Sequence, residues 1–149
     1  MDIFNKDFRD FLAALTDQHV RYILVGGYAV ILHGYPRTTG DMDIWVERTS
    51  ANYQKLKNAF HQFGMPVFDM TEENFLEHPK WDVFTYGNPP VAIDITVKVK
   101  GLEFEDCYNN SVMFEDKDLK IRTISKKDLI EAKKISKRLK DLDDLENLQ

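Results

Sequence analysis

The chain has 149 residues, 43% of them hydrophobic and 30% charged, which is ordinary for one globular domain large enough to bury a core. A net charge of −5 argues against adhesion to nucleic acid over the whole surface, and a lone cysteine, Cys107, allows neither an intramolecular disulfide nor a cysteine zinc site. No basic start precedes an apolar run at the N-terminus, and no apolar run nears the roughly 18–20 residues that span a membrane, so a protein of the reducing cytoplasm without membrane association is expected.

Phe4, Phe8, Phe11, Leu12 and Leu15 recur at helical spacing and predict an amphipathic helix over residues 4–18. Tyr22 to Val25 reads as a short buried strand, and a helix over about 28–33 stops at Gly34 with Pro36 just beyond. Met42 to Val46 is the second strand. Ser50 is placed to cap a helix carrying Tyr53, Leu56, Phe60 and Phe63, closed by Gly64 and Pro66. Residues 67–80 show no clear period. Trp81 to Tyr86 and Val91 to Val99 read as a hairpin turning at Gly87-Asn88-Pro89-Pro90. Residues 102–118 suggest a short helix and a loop, and Leu119 to Ile124 a strand. Ser125 opens the capping pattern Ser-Lys-Lys-Asp, and leucines and isoleucines from Leu129 to Leu148 predict two short helices broken near Ser136 to Arg138. The fold class is therefore α/β (α+β): a sheet with packed helices and a helical C-terminal segment, as a single domain over 1–149.

Two features of this pattern carry chemistry. Asp41 and Asp43 stand one residue apart at the start of a strand, so the period of two turns them to one face. Paired carboxylates repel, and a cation between them relieves the repulsion; Mg²⁺, with its preference for oxygen ligands and substrate phosphates, is the natural candidate. Just upstream, Gly26 and Gly27 lie where backbone N–H groups can hold an anion. A plain strand-to-helix turn would also use a glycine pair.

Gly26-Gly27, the Arg-x-Thr-x-Asp-x-Asp run from Arg37 to Asp43, and Asp94 within Val91 to Val97 together resemble the nucleotidyltransferase superfamily, the polymerase-β-like fold. The likeness extends to the tail, with Asp128-Leu129-Ile130-x-x-Lys133 and Arg138-x-Lys140-Asp141-x-x-Asp144-Leu145, and is nearest in character to small bacterial AbiEii-like proteins, several encoded in toxin–antitoxin pairs. It implies a mixed sheet on which Asp41, Asp43 and Asp94 bind two Mg²⁺ ions (Mn²⁺ possible) and act as the catalytic carboxylates. The strand of Asp94 should lie beside that of Asp41 and Asp43, with all three within reach of one metal. The resemblance also implies transfer of NMP from an NTP to a hydroxyl acceptor: RNA, a protein or a small molecule. The rival reading is a toxin–antitoxin component or nucleotide-binding pseudoenzyme that acts by holding a partner. Many active members carry Ser or Thr where Tyr28 stands here.

For nucleotide binding the candidates are Gly26, Gly27, Arg37, Thr39 and Lys133. Arg37 could fork onto phosphate oxygens or pair with a nearby acid to order its loop. Trp45, on the face of Asp43, could wall a base pocket or pack in the core. Lys133 is singled out by the resemblance as a phosphate contact that could be removed with little loss of stability, and Asp141 or Asp144 as a further acid lining the site. His33 reads as a helix-end residue, and the His61/His78 pair has no metal spacing.

Overall fold

The computed structural model describes residues 4–77, 81–88 and 91–148. Helix α1 (Lys6–Asp17) opens with Asn5, whose side chain accepts from Phe8 N, and buries Phe8, Phe11, Leu12, Ala14 and Leu15. Strand β1 (Tyr22–Val25) runs directly into α2 (Gly26–Leu32), followed by β2 (Met42–Val46) and α3 (Ser50–Phe63). Thr49 caps α3, one residue before the expected Ser50, because its side chain accepts from Asn52 N; Gly64 closes the helix in the left-handed region at φ 88. After α4 (Glu72–Glu77) come β3 (Val83–Asn88) and β4 (Val91–Thr96), then α5 (Phe104–Asn110), β5 (Val112–Asp116), β6 (Leu119–Thr123), α6 (Lys126–Ser136) and α7 (Leu139–Leu148).

The six strands form one mixed sheet in the order β3-β4-β2-β1-β6-β5. β1 is antiparallel to β2 and parallel to β6; β2 is parallel to β4. One face carries Leu24, Met42, Ile44, Val46, Ile93, Ile95 and Val97 against the apolar sides of α1 and α3, where Phe11 meets Phe60 and Phe63 edge-on. The opposite face holds a smaller cluster, in which Ile23, Trp45 and Ile124 meet Ala29, Val30, Cys107, Leu129 and Leu148 from α2, α5, α6 and α7. Beside that smaller cluster the face turns polar.

Four details depart from the sequence expectations. Helix α2 begins at Gly26, not at 28, so both glycines belong to its first turn. β3 pairs through Gly87 and Asn88, expected to be turn residues; Pro89 and Pro90 lie outside the described residues, as does His78. β4 ends at Thr96, short of the expected Val99; the Thr96 hydroxyl lies within hydrogen-bond reach of the Asp82 and Lys98 carbonyls, and Val97 N still donates to Asp82 O. β5 was expected as loop. It is a hairpin edge strand whose residues are exposed or half-buried, so no alternation of buried residues marks it, and Lys117 makes its turn at φ 58.

Candidate active site

The turn from β1 into α2 sets the first wall of the site. Gly26 sits at φ +71, and a Cβ there would lie 2.1 Å from Asp43 Oδ2. Only glycine meets both demands, since a side chain would be strained in that backbone region and would displace a carboxylate. At Gly27 a Cβ would lie 2.6 Å from Thr39 Oγ1 and 2.8 Å from Arg37 Nη2, so the loop after α2 folds back directly over the glycines.

Strand pairing sets the second element. In the register of the sheet Val25 faces Asp43, Asp43 faces Asp94, and Asp94 faces Thr85, a single row crossing β1, β2, β4 and β3. Asp43 and Asp94 therefore project from adjacent parallel strands on the same face, with their spacing fixed by the backbone ladder. Asp41 precedes the first residue of β2 and is placed by the loop instead. Asp41, Asp43 and Asp94 all line one cavity of about 630 Å³, together with Gly26, Gly27, Arg37, Thr39 and Lys133. The three carboxylates and the five nucleotide-binding candidates named from sequence thus all line the same cavity.

The expected closed trio of carboxylates is not there: among the described residues no three acidic, histidine or cysteine side chains converge closely enough to hold a metal ion by themselves. Asp94 nevertheless has Oδ1 buried without a hydrogen-bond partner, although a carboxylate oxygen taken from water needs compensation.

The opposite wall comes from the C-terminal helices. Lys133, in the last turn of α6, is buried, with Nζ 3.0 Å from Asp141 Oδ1 and 3.0 Å from Asp144 Oδ2. Both acids belong to α7 and are fully buried. Asp141 also accepts from Arg138 Nε at 2.8 Å and from the Ser136 hydroxyl. Burial pushes the Asp141 carboxyl up, but the bonds from Arg138, Ser136 and Lys133 outweigh it and hold its pKa below the ordinary carboxylate range. Asp144 pairs in addition with Arg37 Nε at 3.1 Å.

These contacts correct the view of Lys133 as a free phosphate cation. It faces the cavity, yet its charge is already engaged by two buried acids, so it cannot be removed without structural cost. Its neighbour Lys134 is half exposed on another face, beside Glu131. Arg37 pairs with an acid, one of its two expected roles. Trp45 is packed edge-on to Phe104 in the smaller cluster and does not line the cavity. Tyr28 stacks on Phe4 and meets Phe8 edge-on, so its ring is core and does not replace the Ser or Thr hydroxyl of other superfamily members. His33 Nε2 lies 2.7 Å from the Ile124 carbonyl and ties the end of α2 to the end of β6. Ser136 and Arg138, which also line the cavity, were placed from sequence at the helix break, with Arg138 opening the tail motif, and neither was expected at the site. The i, i+3 spacing of Arg138 and Asp141 was the available signal.

A family model described as a nucleotidyltransferase of unknown function (DUF6036) matches residues 6–149. The chain belongs to that nucleotidyltransferase family. Two solved structures share the fold of this nucleotidyltransferase. One is the lincosamide antibiotic adenylyltransferase LnuA in its lincomycin-bound form, with a TM-score of 0.61 and 19% identity, covering 99% of this chain and 98% of that one. The other is a candidate nucleotidyltransferase, TM1012 from Thermotoga maritima, with a TM-score of 0.58 and 14% identity, covering 94% and 88%. No curated protein sequence matches the chain. Among the described residues no helix is long and apolar enough to cross a membrane.

Proposed function

We propose that this nucleotidyltransferase acts as one unit over its whole length, moving NMP from an NTP to a hydroxyl of a small-molecule acceptor with the help of Mg²⁺. The observation that carries the reading is the register pairing of Asp43 with Asp94 on adjacent parallel strands, facing a cavity shared with the diglycine turn. The buried, partnerless Oδ1 of Asp94 fits a cation, and the all-oxygen donor set of Asp41, Asp43 and Asp94 suits Mg²⁺ or Mn²⁺. Mg²⁺ commonly takes one or two carboxylates and completes its shell with water and substrate phosphates, so a ready-made protein cage is not needed. Bound there, the metal would supply positive charge to the phosphoryl group and acidify the acceptor hydroxyl.

The chain's own residues divide the remaining work. The missing side chains at Gly26 and Gly27 let Asp43, Thr39 and the far end of Arg37 close in on the first turn of α2, which gathers the groups that would meet the phosphates. The acceptor oxygen bonds to the α-phosphorus, the bond to pyrophosphate breaks, and Asp94 takes the hydroxyl proton. Lys133 and Arg138, both on the cavity wall, would offset the charge of the departing pyrophosphate. Val83, Thr96 and Val99 give the cavity an apolar flank beside Asp94, which suits a compact organic acceptor. The full-length likeness to LnuA, an adenylyltransferase whose structure holds lincomycin, supports the same choice.

Incubation with each α-labelled NTP, Mg²⁺ and a panel of hydroxylated small molecules including lincomycin should yield a labelled product and pyrophosphate. Asp43→Asn and Asp94→Asn should abolish both. Label on RNA or protein alone would overturn the acceptor class. Transfer unchanged in both variants would overturn the site. NTP binding without transfer, together with a tightly co-purifying protein, would favour the AbiEii-like toxin–antitoxin reading instead.

A further inference from the structure

We infer that Asp144 is a positioning residue for the nucleotide: it anchors Arg37 from the C-terminal helix so that the guanidinium is held over the diglycine turn before substrate arrives. The inference rests on the proposed reading of Arg37 and the glycines as the phosphate end of the site.

The geometry gives Arg37 two ends with different neighbours. Its Nε lies 3.1 Å from Asp144 Oδ1, while Nη2 lies where a side chain on Gly27 would strike it, 2.8 Å from the Cβ position. One edge of the fork is therefore held from behind by α7, and the other hangs over the first turn of α2. Asp144 is 1% exposed on its side chain and Arg37 19%, so the pair is shielded from salt and water on the acid side and open toward the cavity on the other. Neither Arg37 Nε nor Asp144 Oδ2 makes an aligned hydrogen bond, so the contacts to Arg37 and Lys133 act through charge.

A free arginine side chain has many rotamers, and ordering it costs free energy each time a ligand binds. A buried acid that fixes the guanidinium in advance removes that cost from the binding step. The same carboxylate holds Lys133 Nζ at 3.0 Å, which places two cations of the cavity wall on one buried anion. Loss of Asp144 should therefore weaken NTP binding by freeing Arg37, even though Asp144 does not line the cavity itself.

A double-mutant cycle reads this directly. The non-hydrolysable α,β-methylene analogues of the four NTPs, with Mg²⁺, are titrated into the wild type, and the tightest is carried through Arg37→Ala, Asp144→Asn and the double variant. Arg37→Ala should weaken binding about tenfold to a hundredfold, the range for a charge-assisted bond to phosphate. Asp144→Asn alone should weaken it at least about threefold, a coupling usual for contacting charges. In the Arg37→Ala background it should cost clearly less than it does alone, the remainder being what Asp144 exerts through Lys133. Leu145→Ala, which loosens the packing of α7 without touching Arg37, should leave affinity near the wild-type value. If Asp144→Asn does not fold, Asp144→Glu replaces it, keeping the charge but shifting it by one methylene, with the same non-additivity expected. Additive losses, an equal loss in Leu145→Ala, or wild-type affinity in Asp144→Asn would each overturn the inference while leaving the nucleotide reading intact. Wild-type protein that binds none of the analogues would defeat that reading, and the inference with it.

Discussion

Replacing Lys133 by alanine should lower the melting temperature by roughly 6–12 °C, a cost set by the two acids it leaves behind. Its ammonium lies 3.0 Å from both Asp141 Oδ1 and Asp144 Oδ2, and all three side chains are buried. Removing one partner of a buried ion pair costs about 3–5 kcal/mol, because a charge is stranded. Here Asp141 keeps Arg138 and Ser136, and Asp144 keeps Arg37, so the lower end of about 3 kcal/mol applies. For a chain of this size each kcal/mol moves the midpoint by about 2–4 °C, which gives the range stated. Lys133→Met, of similar length but uncharged, should lose nearly as much, whereas Lys134→Ala should stay within about 0.5 kcal/mol of wild type. Calorimetric melts at pH 7 separate the three variants. The pH dependence supplies a second arm. Asp141 is held below the ordinary carboxylate range in the folded state, so its contribution is complete above its unfolded value of about 4 and fades as pH falls below it. The gap between Lys133→Ala and wild type should narrow over that same interval. Lys133→Ala and Lys134→Ala melting together would refute the account of the buried network.

Asp141→Asn should be less stable than wild type at pH 7 and should lack the wild-type loss of stability below about pH 4, as read by urea unfolding from pH 7 to pH 2. Gly26→Ala combines a positive φ with a Cβ contact 2.1 Å from Asp43, so destabilisation of about 1–3 kcal/mol is expected together with loss of NTP binding; melting and titration near wild type would contradict the turn geometry. Phe11→Ala, at the centre of the contact between α1 and α3, should cost about 3–5 kcal/mol in chemical denaturation.

What the sequence disclosed depended on whether a residue's partner was near in the chain. The short strand Tyr22–Val25, the two glycines and the Asp41/Asp43 alternation are local patterns, and they announce both the sheet and its polar face. Asp94 was added through the family resemblance; the alternation of its strand, with Ile93, Ile95 and Val97 on the other side, agrees with that but would not have singled it out. The edge strand Val112–Asp116 was missed because neither of its faces is consistently buried, and the period of two that reveals a strand comes from burial. The burial of Lys133 went unread for a different reason. Nothing in a run of lysines says which one has been drawn under a neighbouring helix, and the acids that hold it lie eight and eleven positions away across a break. The link from Arg37 to Asp144 spans most of the chain and leaves no local trace at all.

The cavity has two walls of different physical make. Asp43 and Asp94 stand on strands locked by backbone hydrogen bonds, whereas Arg37 is carried by a loop, Lys133 by α6 and Arg138 by the link from α6 to α7, all three held by charge. The two halves should therefore breathe at different rates. Amides of β2 and β4 belong among the slowest to exchange with solvent, and those of α6 and α7 open in smaller excursions that leave the sheet intact. Displacement of the helical side would then widen the cavity without disturbing the carboxylates on the sheet.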